Sequence, residues 1–122
     1  TRTAAILSKA VAQDAVALDA FAALRAATQG GARAIGFDHL VGTLEVGKQA
    51  DIACVDLSAL ETQPLHHVVS QLVYATGRHQ VTDVWIAGRE RLVDRQPVGI
   101  DMAGVVANAR QWRQRIAGLH PA

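Results

Sequence analysis

The sequence predicts part of an α/β parent fold: the last helices of a barrel, joined to part of a small β-sandwich and closed by one further helix. Three observations carry this expectation. Helical periodicity fills the first third of the chain, alternating patterns framed by glycine turns fill the middle, and one amphipathic stripe ends it. Strands and helices do not alternate regularly, and no segment repeats at a fixed period, so a complete barrel cannot be built from these residues. An autonomous α+β domain is the other arrangement this order permits. The expected organisation is barrel helices over residues 1–38, the C-terminal part of a sandwich with a connecting helix or turn over 39–100, and a docking helix over 101–122.

From Thr3 to about Asp14, Ala4, Leu7, Ala10 and Val11 recur at helical spacing, while Ser8, Lys9 and Gln13 fall on other faces. Asp19 can cap a second helix on which Phe21, Leu24 and Thr28 share a face, before Gly30 and Gly31 weaken its continuation. A short third piece near Ala32 to Ile35 should end at Gly36. Alanine at positions 20, 22, 23, 26, 27, 32 and 34 keeps these helices thin and allows close approach of neighbours at small entropic cost.

After Gly42 the texture changes. Thr43 to Val46 alternates polar and apolar, Gly47-Lys48 reads as a turn, and Asp51 to Leu57 is an apolar run of strand length, which together predict a hairpin-like β unit. Pro64 interrupts the following loop, and His67 to Tyr74 reads as a short helix or turn. Val81 to Ile86, the turn Ala87-Gly88-Arg89 and the return strand Glu90 to Val93 predict a β-hairpin. Asp101 can cap a last helix whose Val105, Ala109, Trp112 and Ile116 form a stripe, with Arg110, Arg113 and Gln114 turned away and Gly118 near the stop. Docking through Trp112 is expected.

At 122 residues and 50% hydrophobic composition the chain lies in the single-domain range, but alanine supplies much of that fraction and aromatics only 4%, so little area is available for burial. A marginal core, or one completed by another segment, follows. Twelve basic against eleven acidic residues, interspersed and without a basic block, argue against a nucleic-acid partner. No apolar run approaches the roughly 20 residues needed to cross a bilayer, and TRTAAILSKA lacks a secretory pattern, so no membrane association is expected. The single Cys54, within Ile52-Ala53-Cys54-Val55, reads as a buried strand thiol in a reducing compartment, with the cytoplasm as the expected location. A start at Thr1 without an initiator methionine, running almost at once into helix, fits a processed, cleaved or partly represented polypeptide.

Chemistry-bearing patterns are weak. Gly42 to Lys48 has the spacing of a phosphate loop, yet Gln49 stands where Ser or Thr would meet magnesium, and Glu45 would repel the anion. A turn is the stronger reading. Histidines 39, 66, 67, 79 and 120 form no His-x-His or His-x-x-x-His pair and read as surface or loop residues. Asp51 and Asp56 flank the apolar run too far apart for a shared acid/base site; Asp51 is expected to meet turn amides or Lys48, and Asp56 to mark the strand exit. Ser8, Ser58 and Ser70 lack a nucleophile-elbow setting, Cys54 lacks a histidine partner, and Trp85 and Trp112 fit a hairpin face and a helix stripe.

The run ALRAATQGGARAIGFDHLVGTLEVGKQADIACVDL resembles the C-terminal pattern of the amidohydrolase superfamily: an alanine-rich helix, Gly-Ala-x-x-x-Gly, then Gly-x-Leu-x-x-Gly-Lys-x-Ala-Asp. Those positions are Gly31, Ala32, Gly36, Gly42, Leu44, Gly47, Lys48, Ala50 and Asp51. VTDVWIAGRERLVDRQPV resembles the family's closing hairpin, and TAAILSKAVAQDA resembles the aminohydrolase and chlorohydrolase branch, which includes 5-methylthioadenosine/S-adenosylhomocysteine deaminases.

The resemblance implies a (β/α)8 barrel beside a small sandwich to which both ends of the polypeptide contribute, with this chain following the last barrel strand. It implies that zinc or another divalent ion is held by histidines and an aspartate upstream of Thr1, so no catalytic or metal-binding role falls on residues of this chain. The complete enzyme would generate hydroxide and attack an electron-poor amidine-like carbon, expelling ammonia from an aminopurine nucleoside or related amino-heterocycle. Dechlorination of an s-triazine is the alternative chemistry. The upstream barrel portion, a small-molecule substrate and a homo-oligomer are the implied partners. A noncatalytic folding or oligomerisation module is the alternative from another class.

Overall fold

The computed structural model describes residues 1–119. The expectation for His120 lies outside the described residues. Helix α1 (Arg2–Ala12) ends at Gln13, whose left-handed backbone lets its amide donate to the Lys9 carbonyl. Lys9 Nζ then reaches the carbonyls of Ala15 (2.8 Å) and Ala17 (2.9 Å), folding the connection back. Helix α2 (Ala20–Arg25) starts where expected: Asp19 Oδ1 accepts the Ala22 amide at 2.8 Å.

Gly30 and Gly31 do not break the helix. It passes through a π-helical turn (Ala26–Gly30) into α3 (Gly31–Ala34), one continuous helical stretch with a wider middle. Its end is a Schellman closure at Gly36: the Phe37 amide donates to the Ala32 carbonyl (2.8 Å) and the Gly36 amide to Arg33 (3.1 Å).

The expected hairpin-like unit across Gly47 does not form. Residues 43–46 are not a strand, and Val46 is fully exposed, because Lys48 closes this segment on itself by donating to Thr43 Oγ1 at 2.6 Å. The apolar run supplies a shorter strand, β1 (Ile52–Val55), which pairs antiparallel with β2 (Val81–Ile86). Between them come a 3-10 turn (Leu60–Thr62), the short helix α4 (Val68–Ser70) continued by a π-helical turn (Gln71–Ala75), and a second 3-10 turn (Arg78–Gln80). The expected short helix over 67–74 is present.

The predicted hairpin forms from β2 and β3 (Arg89–Val93), with Ala87 and Gly88 both left-handed, the geometry that matches strand twist. A second two-residue turn at Asp94 and Arg95, also left-handed, adds β4 (Gln96–Pro97), giving a sheet ordered β1-β2-β3-β4. Helix α5 (Met102–Leu119) is capped by Asp101, whose Oδ1 accepts the Gly104 amide at 3.0 Å.

The apolar core is small: Ala5, Ala20, Ala23 and Val73 pack together, supported by Leu18, Leu24, Val69 and Tyr74. On α1 the face turned inward is that of Ala5, Ser8 and Lys9, while the expected stripe of Ala4, Leu7 and Val11 is exposed. Cys54 is exposed as well, contrary to its place in an apolar run, because none of the described residues covers it. Trp112 is 57% exposed, so α5 does not dock on this chain through it.

The accessible surface is 9266 Å². A self-contained globule of this mass exposes about 6300 Å². The excess is apolar in large part, with Ile6, Phe21, Ile35, Leu44, Val105 and Ile116 all more than half exposed. The folded chain therefore carries contact surface that it does not itself satisfy.

Gly42 lies against the π-helical turn so tightly that a Cβ there would meet the Ala32 Cβ at 2.8 Å and Gln29 Cα at 3.3 Å, whereas one on Gly47 would meet nothing within 4 Å. Both have positive φ, +98° and +95°, so the backbone cost of a side chain is shared and only the packing differs. Gly47→Ala should cost about 1 kcal/mol and Gly42→Ala about 1–3 kcal/mol more, compared by equilibrium urea unfolding.

Candidate functional site: the helix–strand joint

Nine of the twelve residues around the main groove lie in the segment from Gly31 to Leu44 or in the helical turn before it, and the other three are Asp51 and the first two residues of β1. The groove, about 420 Å³, runs between the helical stretch and β1, with Ile35, Val41, Leu44 and Ile52 as its apolar walls. Gly31, Ala32, Gly42, Leu44 and Asp51 of the expected motif all border it. Gly36, Gly47, Lys48 and Ala50 do not; they shape the segments on either side.

Each remaining motif residue has an identifiable task. Gly36 closes the helix. Lys48 Nζ, mostly buried, holds Thr43 Oγ1 and lies 3.3 Å from Glu45 Oε2, so its charge is already engaged inside its own loop. That arrangement cannot cradle a phosphate, in keeping with the turn reading of Gly42 to Lys48. Asp51 Oδ1 accepts the Ala87 amide at 2.6 Å and the Ala50 carbonyl accepts the Gly88 amide at 3.0 Å. Asp51 thus meets a turn amide and not Lys48, and the Ala50-Asp51 pair grips the tip of the β2–β3 hairpin.

Asp56 marks the exit of β1, where its amide donates to the Gln80 carbonyl at 2.8 Å. Its carboxylate takes the Ser58 hydroxyl (2.6 Å), the Ser58 amide (2.9 Å) and Arg95 Nη2 (3.1 Å). Those bonds, the Ser58 hydroxyl first, hold its pKa below the usual carboxylate value. Asp83 is lowered likewise by the Thr82 hydroxyl and then by the Asp94 amide. Arg95 also donates from Nε to the His79 carbonyl at 3.0 Å, so one guanidinium ties the β3–β4 turn to β1 and to the second 3-10 turn. Asp51 and Asp56 have separate partners and do not form an acid/base pair.

Among the described residues no three His, Cys, Asp or Glu side chains converge on a point that could hold a metal ion. His39, His66, His67 and His79 are exposed and dispersed. His67 Nδ1 accepts the Ser70 amide at 3.1 Å and caps α4, a role the sequence pattern did not suggest because imidazole is an uncommon cap. His79 lies 3.6 Å from Glu61. The donors among the described residues therefore do not fit a catalytic metal centre. Among the described residues no helix is long and apolar enough to cross a membrane.

The groove is thus built by a helix end and the start of a strand, with Thr28, Thr43 and Asp51 as its polar side chains. The sequence profile of the amidohydrolase family matches residues 1–91, and the chain belongs to that family. It is 44% identical over 115 residues to a 5-methylthioadenosine/S-adenosylhomocysteine deaminase of Teredinibacter turnerae, and 38% identical over 114 residues to one of Saccharophagus degradans. These alignments cover 94% and 93% of this chain and 26% of each relative. The chain thus spans about a quarter of the length of the curated relatives it matches.

Among solved structures, an adenosine deaminase from Xanthomonas campestris with bound zinc superposes with a TM-score of 0.94 at 71% identity, over 96% of this chain and 27% of that one. An atrazine chlorohydrolase from Arthrobacter aurescens complexed with zinc gives a TM-score of 0.70 at 32% identity, over 78% and 21%.

Two measurements check these contacts. Asp51→Ala should raise hydrogen exchange at the Ala87 and Gly88 amides by about ten-fold while leaving the centre of β2 protected. For Asp56 the folded pKa lies below the unfolded one, so its contribution is present above the unfolded value and is lost as pH falls through the folded value. Thermal melts of Asp56→Asn should therefore lie below those of the parent at pH 7 and converge with them in acid, once pH has fallen below the usual carboxylate value.

Proposed function

We propose that this chain is the C-terminal supporting portion of a metal-dependent aminohydrolase whose complete form deaminates an aminopurine nucleoside or a related amino-heterocycle. The observation that carries the reading is the 71% identity and 0.94 TM-score over nearly the whole chain with a zinc-bound adenosine deaminase. In this reading residues 1–38 are terminal barrel helices, residues 39–100 belong to a flanking sandwich, and residues 101–122 form the docking helix.

The metal, zinc or another divalent ion, is assigned to the remainder of the polypeptide, since the donors present here do not converge. This chain's share of the work is mechanical. It closes the barrel wall with thin alanine-rich helices, and the Gly42–Ala32 contact and the Asp51–Ala87 bond hold the sheet at a fixed angle to that wall. Active sites of such barrels stand at the C-terminal ends of the strands, so rigid support of the wall maintains their geometry. A cytoplasmic location, a small-molecule substrate and a homo-oligomeric state belong to the same reading.

Dechlorination of a triazine is the weaker chemistry, supported by neighbours near 32% identity. Replacement of ammonia or of chloride on an electron-poor ring carbon calls for the same attack by water, and the choice of leaving group is assigned to residues outside this chain. The polypeptide encoded by the complete open reading frame, loaded with zinc, should release ammonia from 5′-methylthioadenosine, S-adenosylhomocysteine or adenosine, and the 122-residue chain alone should release none. Chloride release from atrazine without nucleoside deamination, or turnover by the short chain unaided, would overturn the proposal.

A further inference from the structure

Helix α5 presents Met102, Val105, Ala109, Trp112 and Ile116 at alternating spacings of three and four residues. That spacing keeps one seam in line along about 21 Å of helix. Every one of these residues is exposed in the chain as it stands. The Arg115 guanidinium lies over the Trp112 ring, 5.2 Å from its centroid, and Arg113 follows Trp112 directly. Between Met102 and Leu119 there are three arginines and no carboxylate, while all eleven acidic residues precede the helix.

An undocked helix has no reason to keep one position relative to the sheet it follows. The superposition on the Xanthomonas campestris enzyme nonetheless covers 96% of this chain, leaving out about five residues, fewer than the eighteen of α5. At least thirteen residues of α5 therefore superpose on the crystal structure of a much longer polypeptide, and a shared position of this kind calls for contacts beyond those the described residues make. A second copy of α5 is a poor occupant, because Arg113 and Arg115 beside the seam would face arginines of the same sign.

We propose that α5 is a strap that binds the remaining three quarters of its own polypeptide, seating the Trp112 seam on an apolar surface bordered by carboxylates that meet Arg113 and Arg115. This rests on the reading of the chain as one portion of a longer enzyme. Trp112 is the anchor, since the one aromatic of the seam removes the most area from water, and the arginines set orientation.

Hydrogen exchange of the complete polypeptide, read on α5 peptides, tests this directly. Protection of α5 at least ten-fold above that in the 122-residue chain, independent of protein concentration, is the expected result. Trp112→Ala should abolish the protection. The pair Arg113→Glu with Arg115→Glu should weaken it several-fold, the corresponding lysine pair should largely retain it, and amides of β2 and β3 should stay protected throughout as a control for folding. Equal exchange of α5 in the short and complete chains would overturn the strap, and so would protection that rises with concentration, which would assign the seam to a second copy. Nucleoside deamination by the same sample is scored separately: its absence would remove the proposed activity while leaving the α5 result to stand.

Discussion

The approach of Gly42 to the helix fixes how the two halves of the chain meet. Its backbone lies against Ala32, Gln29 and the Thr28 carbonyl, close enough that no side chain fits between them. A π-helical turn sits at that point, and its wider backbone is part of the surface that Gly42 contacts. From there the chain reaches β1 ten residues on, and Asp51 with the Ala50 carbonyl fastens the far hairpin to the start of that strand. The position of the sheet relative to the helices therefore depends on this close backbone approach together with Val73, which lies between β1 and β2 in the sequence and packs into the helical cluster.

That apolar contact is small because burial among the described residues is confined. Alanines and a single valine make up the helical cluster, and each alanine removes little apolar area from water. Among the described residues the buried polar side chains, Thr62 and Gln80, are both satisfied. Thr62 Oγ1 donates within reach of the Leu57 and Ala59 carbonyls, and Gln80 accepts the Gly77 amide at 2.8 Å. Local polar closure of this kind holds the connections between elements even where apolar packing is thin. Thin helices have a second consequence: they bring backbones close, so neighbouring elements can lie against them on more than one side.

Features governed by local chemistry were legible in the sequence. Asp19 and Asp101 cap helices, Gly36 ends one, and Ala87-Gly88 turns a hairpin, since each depends on a backbone requirement met within a few residues. The motif from Gly31 to Asp51 was legible as a helix end followed by a turn and a strand, and the structure gathers five of its nine residues around one groove. Less legible were the features that depend on a third element. The 43–46 segment has an alternating pattern but no partner strand among the described residues, the Asp94-Arg95 turn carries no glycine, and His67 caps with an atypical side chain.

The misjudged positions share a cause. Hydrophobic periodicity records burial in the complete protein, whereas the exposure of each side chain here reflects only the cover that residues 1–119 provide for one another. Leu7 and Val11 on α1, Val46 in the loop, Cys54 on β1, and Trp112 and Ile116 on α5 are all positions where the pattern calls for cover and the chain supplies none. They fall on α1, the loop after Gly42, β1 and α5, so the need for cover is not confined to one element. Cover by further residues agrees with a chain that accounts for about a quarter of its relatives' length.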